Sequence, residues 1–75
     1  MRALVEFIAR QLVRYPEKVH VQEIVGPRAN LYRLRVDPSD VGRVIGKGGS
    51  VANAMRTVLR VAAERQGIRA ILEID

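Results

Sequence analysis

Val44-Ile45-Gly46-Lys47-Gly48-Gly49 is the stretch that decides the fold, because an apolar pair runs into three glycines and one lysine. A long helical pattern begins immediately afterwards, at Ser50. Glycines let a backbone approach a ligand closely, since no side chain intervenes. The first turn of a helix has unpaired N–H groups and a partial positive charge, so it attracts phosphate. Lys47 adds a full charge, and the stretch therefore predicts a clamp for a phosphodiester backbone.

The length and composition indicate one small domain, spanning residues 1–75, with a single thin core. There is no cysteine, hence no disulfide and no thiolate metal site, which fits a reducing cytoplasm. No apolar run approaches the roughly 20 residues of a membrane span. The segment Met1 to Glu6 contains an acid and no cleavage site, unlike a signal peptide. We therefore expect a soluble, cytoplasmic protein.

The net charge of +5 is concentrated around the glycine loop. Between positions 41 and 69 a single acid, Glu64, stands against six basic residues: Arg43, Lys47, Arg56, Arg60, Arg65 and Arg69. The rest of the chain has seven basic and seven acidic residues and is neutral. Arginines on a helix are most often its ordinary solvated face. Combined with the loop, however, they favour a polyanionic partner.

Apolar periodicity predicts a first helix from Ala3 to Arg14, stopped by Pro16. Leu4, Phe7, Ile8 and Leu12 should face inward, and Val5 is a further candidate for that face. Two strands follow, Lys18 to Val25 and Asn30 to Asp37, and they should form an antiparallel hairpin. The alternation of the first strand slips near Glu23-Ile24, where we expect a bulge or a strand end. In the second strand Tyr32, Leu34 and Val36 share the inward face, and Arg33 and Arg35 are solvated.

The second half of the chain predicts two helices and a strand. Ser39 or Asp40 should cap a short helix that ends between Arg43 and Ile45. The long helix runs from Ser50 to Arg65 and stops at Gly67. Its expected buried stripe consists of Val51, Ala54, Met55, Val58 and Ala62, with Leu59 and Val61 at the margins. A last strand covers Ile68 to Ile74 and is parallel to the second, since two helices join them.

Two helices joined by a Gly-x-x-Gly loop and flanked by strands resemble the KH domain, and the leading helix and strand match its type II, prokaryotic form. More narrowly, Asp40 to Gly49 followed by Ala54-Met55-Arg56-Thr57 resembles the KhpA family of stand-alone KH domains, described as RNA-binding proteins and probable RNA chaperones. The resemblance covers the whole chain. We therefore predict an α+β fold, a single type II KH domain (α-β-β-α-α-β), with a three-stranded mixed sheet and three helices on one face.

The resemblance implies a binding site for single-stranded RNA. The backbone of Gly46 to Gly49, together with Lys47, should hold consecutive phosphates. An aliphatic groove should receive the nucleotides, with Val41, Val44, Ile45, Val51 and Leu72 as its floor and Arg43, Arg56 and Arg69 as candidates for its rim. Ser50 and Asn53 stand where relatives often carry basic residues, which would weaken phosphate contacts there. The implied protein partners are a second copy of the chain and a KhpB (Jag-type) multidomain RNA-binding protein.

Other readings of the same residues are weaker. The loop is not a Walker loop, because Gly42 has the wrong spacing and Gly48 replaces the hydroxyl that would hold magnesium. His20 is the only histidine and there is no cysteine, so we expect no metal site. Ser39, Ser50 and Thr57 have no base paired with them in the sequence, and we expect no cofactor and no enzyme. Two alternatives to RNA binding stay open. One is a KH-fold protein-interaction or dimerisation subunit of a larger RNA-binding complex. The other is a single-stranded DNA binder, because contacts with phosphates do not distinguish ribose from deoxyribose.

Overall fold

The computed structural model describes residues 1–75 and contains three α-helices and three strands. In chain order these are α1 (Arg2–Leu12), β1 (His20–Val25), β2 (Asn30–Arg35), α2 (Val41–Ile45), α3 (Ser50–Arg65) and β3 (Ala70–Ile74). Single 3-10 turns lie at Pro16–Lys18, Pro38–Asp40 and Lys47–Gly49. The predicted order of elements is confirmed, and α3 has the predicted bounds.

The sheet is mixed, with the spatial order β1-β2-β3, as predicted. β1 and β2 are antiparallel, and β2 and β3 are parallel, so Leu34 lies beside both Val21 and Ile74. Of the two alternatives expected near Glu23-Ile24, the bulge is wrong, because the register is unbroken from His20 to Val25, where the strand ends. The alternation of apolar and polar residues breaks at Glu23 because this polar residue lies on the same face of the strand as Val21. The Glu23 carboxylate accepts a 2.7 Å hydrogen bond from the Tyr32 hydroxyl.

Side chains from all three helices and from one face of the sheet form a single core. Its members are Val5, Ala9, Val19, Val21, Tyr32, Leu34, Val44, Met55, Leu59 and Leu72. Tyr32 and Leu34 are fully buried, as their inward positions predict. Burial raises the pKa of the Tyr32 hydroxyl, and its hydrogen bond to Glu23 raises it further.

The inward face of α1 differs from the prediction. Phe7 is 63% exposed, whereas Val5 and Ala9 are buried. Phe7 is two residues from each of them, which places it about 200° around a helix of 3.6 residues per turn. Small Ala9 lets the helix pack closely on the sheet, and Leu4, Ile8 and Leu12 complete the contact from its flanks. The helix also ends two residues before the expected Arg14.

α3 presents a different apolar face to the core from the one predicted. The buried residues are Ala52, Met55, Leu59 and Ala63, of which only Met55 was expected to be central. Val58 is 47% exposed and Val61 is 46% exposed. The helix has two apolar stripes at helical spacing, and periodicity alone does not tell which one the sheet covers. Its end is as predicted, because Gly67 adopts φ 70° and Ile68 N–H donates to the Ala63 carbonyl at 3.0 Å.

Asp40 connects α1 to the segment that carries the glycine loop, instead of capping α2 with its side chain. It is fully buried. Its carboxylate accepts hydrogen bonds from the backbone N–H of Arg14 at 3.2 Å and of Tyr15 at 3.1 Å. The side-chain cap in this region comes from Asp37, which accepts from the Ser39 N–H at 3.0 Å. Hydrogen bonds from Ser39 lower the pKa of Asp37.

Candidate nucleic-acid interface

The glycine loop is a single 3-10 turn held between two abrupt changes of backbone direction. α2 ends at Ile45, and Gly46 then adopts φ 76° and ψ 170°. Gly48 and Gly49 are left-handed, with φ 63° and φ 80°. L-residues rarely adopt these conformations, so the path from α2 to α3 favours glycine at all three positions.

Gly46 and Gly48 are required for different reasons. A Cβ atom on Gly46 would lie 2.5 Å from Val51 Cγ2 and 2.8 Å from the Val51 backbone nitrogen. A Cβ atom on Gly48 would meet no atom within 4 Å. Gly46 therefore allows the loop to pack on the first turn of α3, whereas Gly48 faces open space. A ligand can approach the backbone at Gly48 without obstruction.

The loop has fewer N–H groups to offer a ligand than the sequence predicts. Gly46 N–H donates to the Gly42 carbonyl at 2.9 Å, and Gly49 N–H donates to the Gly46 carbonyl at 3.2 Å. The N–H of Ser50, at the start of α3, donates to the Lys47 carbonyl. Of the predicted stretch from Gly46 to Gly49, the candidates that remain for a phosphate are the N–H groups of Lys47 and Gly48.

Lys47 gives the loop an uncompensated charge. Its side chain is exposed, and none of the six ion pairs of the chain includes it. Arg43, one turn earlier on α2, differs in this respect. Its Nε lies 3.6 Å from Oδ1 of buried Asp40, which also pairs with Arg14. The strongest free positive charge at the loop therefore belongs to Lys47.

A groove of about 700 Å³ runs between α3 and β3. Its helical wall carries Asn53, Arg56, Thr57, Arg60 and Glu64, and its other wall is formed by residues 68–72. Asn53 connects the groove to the loop, since its Nδ2 lies 3.6 Å from where a Cβ on Gly49 would be. The groove thus begins where the glycine loop ends.

Arg56 bridges the two walls of this groove. Its Nε donates to the Leu72 carbonyl at 3.4 Å, and its Nη1 donates to Asn53 Oδ1 at 3.3 Å. Asn30 N–H donates to the Arg69 carbonyl, and backbone groups alternate in direction along a strand. The Leu72 carbonyl therefore points away from β2 and accepts from Arg56. Arg60 and Arg69 also line the groove and form no ion pair with an acid. Three arginines thus line one groove beside the glycine loop.

The structure brings together only part of the predicted site. Arg56, Arg69 and Leu72 line the groove beside the loop. Val44 is fully buried in the core and supports α2 from beneath. The predicted floor residues Val41, Ile45 and Val51 are partly exposed, but they do not line the α3–β3 groove.

Sequence reasoning left nine of the twelve groove residues out of the predicted site, and these nine include the polar or charged residues Asn53, Arg60 and Glu64. The signal for three of them was present, because positions 53, 60 and 64 share one face of a helix with Arg56. The charged residues of the exposed sheet face, by contrast, are paired with each other. Arg33 lies 3.3 Å from Glu73, and Arg35 lies 3.3 Å from Asp75.

No group of three or more histidine, cysteine, aspartate or glutamate residues is arranged to hold a metal ion. None of the helices combines the length and the apolar character that crossing a bilayer requires.

Comparison with known proteins gives one consistent result. Three relatives that share the name RNA-binding protein KhpA come from Clostridium perfringens, Aquifex aeolicus and Chlamydia trachomatis. Their identities to this chain are 46%, 43% and 38%, each over 99% of its length. The matches cover 99%, 94% and 95% of the relatives themselves. No solved structure matched. The model of the family described as KhpA/KhpB, KH domain, matches residues 2–74, so the chain belongs to that family.

Proposed function

We propose that this protein binds single-stranded RNA, with the loop at Lys47 and Gly48 holding the backbone and the α3–β3 groove receiving the bases. The observation that carries the proposal is that the glycine loop and the α3–β3 groove are continuous. An uncompensated lysine and an unobstructed Gly48 stand at one end of a groove that three arginines line. The names of the relatives support RNA as the ligand.

The proportions of the site suit a short stretch of single strand. KH domains clamp about four backbone nucleotides at the Gly-x-x-Gly loop. The groove wall from Asn53 to Glu64 covers about three turns of α3, at about 5.4 Å per turn. So small a footprint should bind weakly and with a fast exchange of partners. Weak, reversible binding of unpaired strands is what an RNA chaperone requires, and we propose that role.

Replacing Lys47 and Gly48 together by aspartate tests the clamp. The change removes one attraction and adds two repulsions, each worth about 1 kcal/mol for charges 4 Å apart in water. The affinity for RNA should therefore fall roughly a hundredfold. Aspartate tolerates the left-handed conformation of Gly48, so the fold should persist. Fluorescence anisotropy with a labelled eight-nucleotide RNA measures binding, and circular dichroism reports the fold.

A matched control separates the loop from the net charge. Arg2→Asp with Ala3→Asp also changes the charge by three units, on exposed positions at the start of α1. This variant should lose little affinity, because long-range effects of surface charge are screened by salt. Equal losses in the two variants would reject the clamp. The same RNA annealed to its complement should bind less well, since a narrow groove cannot reach the bases of an A-form duplex. A DNA strand of matched sequence decides the single-stranded DNA alternative.

We propose a second copy of the chain as a protein partner, seated on the exposed stripe of α3. The stripe consists of Ala54, Val58, Val61 and Arg65, at the alternating four- and three-residue spacing of paired helices. Val58 and Val61 stand near its middle, so two copies can pair about a two-fold axis with these valines in contact. Two linked clamps would bind RNA more tightly than one. A KhpB (Jag-type) protein, whose family the same KH model covers, is the second proposed partner.

The exposed stripe also favours the rival function, a dimerisation subunit that touches RNA only incidentally. The aspartate variant of the loop distinguishes the two. If the variant keeps both its self-association and its RNA affinity, the scaffold role is supported and the clamp is rejected.

A further inference from the structure

Polar side chains recur once per turn along the α3 wall of the groove. Asn53, Arg56, Arg60 and Glu64 are spaced by three, four and four residues, and all of them line the groove. One turn advances about 5.4 Å, so successive bases of a strand lying along α3 meet successive side chains. Asn53 stands at the loop end, and Glu64 stands at the remote end, almost four turns from the start of the helix.

Glu64 is the only acid in this groove, and it has no ionic partner. The six ion pairs of the chain use Glu6, Asp40, Glu73 and Asp75, but none uses Glu64. Arg60 precedes it by four residues, yet the two do not pair. Arginine before glutamate is the less favourable order for such a pair on a helix. The carboxylate is exposed and available to a ligand.

A carboxylate in a nucleotide-binding groove repels phosphate and lowers the affinity for RNA. A useful role for it must therefore be a contact with the bases. An ionised carboxylate only accepts hydrogen bonds, and its two oxygens can accept from two adjacent donors. Guanine presents two such donors side by side, N1–H and the N2 amino group. Adenine and cytosine present one amino donor next to an acceptor, which a carboxylate repels. Uracil presents a single N–H between two carbonyl oxygens.

The arginines beside Glu64 complete the match to guanine. Arg60 lies on the helical wall and Arg69 on the opposite wall of the same groove, and both are free of acidic partners. Guanine carries its O6 acceptor next to N1–H, and arginine is a common partner of that oxygen. Unpaired RNA exposes these edges to protein side chains. Resting on the proposed RNA binding, we propose that Glu64 selects guanine at the nucleotide farthest from the glycine loop.

Competition binding with a set of short RNAs tests this selection. The reference is a labelled oligoadenylate of six nucleotides, and the competitors carry a single guanosine at each position in turn. For the wild-type chain, guanosine at the favoured position should improve affinity about fivefold or more over adenosine. Inosine at that position lacks the N2 amino group and should recover only part of the gain.

Glu64→Gln provides the decisive comparison. Removing the negative charge should raise the affinity for RNAs without guanosine at the favoured position, while loss of the paired hydrogen bonds brings the ratio of guanosine to adenosine affinity down to about one. Glu17→Gln, the same change on the exposed turn Pro16–Lys18, should leave the ratio unchanged. Because Glu64 is exposed, circular dichroism should show an intact fold for its variant.

The possible results separate the two proposals. If Glu64→Gln keeps the guanosine preference, or if the wild-type chain binds RNA without any preference, the assignment of Glu64 is overturned while RNA binding stands. If the wild-type chain binds none of the oligonucleotides, the RNA-binding proposal is overturned and the assignment with it. A guanosine preference that only Glu64→Gln abolishes supports both.

Discussion

Gly46→Ala and Gly48→Ala should lower the free energy of unfolding by very different amounts, although the two glycines are only two residues apart. Both have positive φ, at 76° and 63°. At Gly46, however, the new Cβ would lie 2.8 Å from the backbone nitrogen of Val51. A side chain can rotate away from such a contact, but the backbone of a helix cannot. At Gly48 the new Cβ would meet nothing within 4 Å.

The free energies of unfolding follow from these contacts. The backbone conformation of Gly46, with ψ 170°, lies in a region that is essentially restricted to glycine, which costs another residue about 1–3 kcal/mol. Crowding against Val51 adds about 1–3 kcal/mol. We expect Gly46→Ala to lose about 3–5 kcal/mol. For Gly48→Ala the left-handed conformation alone costs about 1–2 kcal/mol.

Thermal unfolding followed by circular dichroism gives the comparison directly. A domain of this size has roughly 4–11 kcal/mol of stability in total. Each kcal/mol shifts Tm by about 4–8 °C. Gly46→Ala should therefore melt at least about 12 °C below the wild-type chain or fail to fold, and Gly48→Ala should melt about 4–16 °C below it. Equal shifts in the two variants would refute the contact of Gly46 with α3 as the reason for that glycine.

Two further predictions concern the α3 stripe and the buried tyrosine. Val58→Asp with Val61→Asp should abolish self-association in analytical ultracentrifugation, and the chain should stay folded because both valines are about half exposed. Phe7→Asp, at an exposed position of α1, is the control. Dimers that persist in the valine variant would exclude the stripe as the dimer interface. The pKa of Tyr32 is raised above its ordinary value of 10.0, so its contribution to stability is complete below pH 10 and falls as the pH rises further, since the unfolded chain releases the proton first. Urea unfolding between about pH 9 and 11 should thus show a flatter alkaline decline for Tyr32→Phe than for Tyr15→Phe, and identical slopes would contradict the raised pKa.

Local signals predicted the elements well, because helix ends depend on residues that are close in sequence. Gly49 and Gly67 delimit α3, and its predicted bounds are those observed. The parallel pairing of β2 with β3 followed from the two intervening helices. These features needed no knowledge of which residues meet across the fold.

Features that depend on distant contacts could not be predicted in the same way. Val58 and Leu59 are both apolar, and only the position of the sheet decides that Leu59 is buried. The bond from Arg56 to the Leu72 carbonyl joins residues that are 16 positions apart. Val44 fits both an aliphatic groove and a core, and the packing of α2 places it in the core. The availability of the loop N–H groups depends on how Gly46 turns the backbone.

The paired charges on the exposed sheet face have a consequence for how this molecule meets its ligand. Arg33 with Glu73 and Arg35 with Asp75 cancel each other locally, whereas Lys47 and the groove arginines are uncompensated. The electrostatic field of the protein is therefore most positive on the side of the loop and the groove. An approaching polyanion orients the protein so that the loop makes the first contact. Productive encounters become a larger fraction of all collisions. Glu73→Lys would release Arg33 and give the exposed sheet face a positive charge of its own, so a smaller fraction of encounters at low ionic strength should be productive although no atom of the binding site has changed.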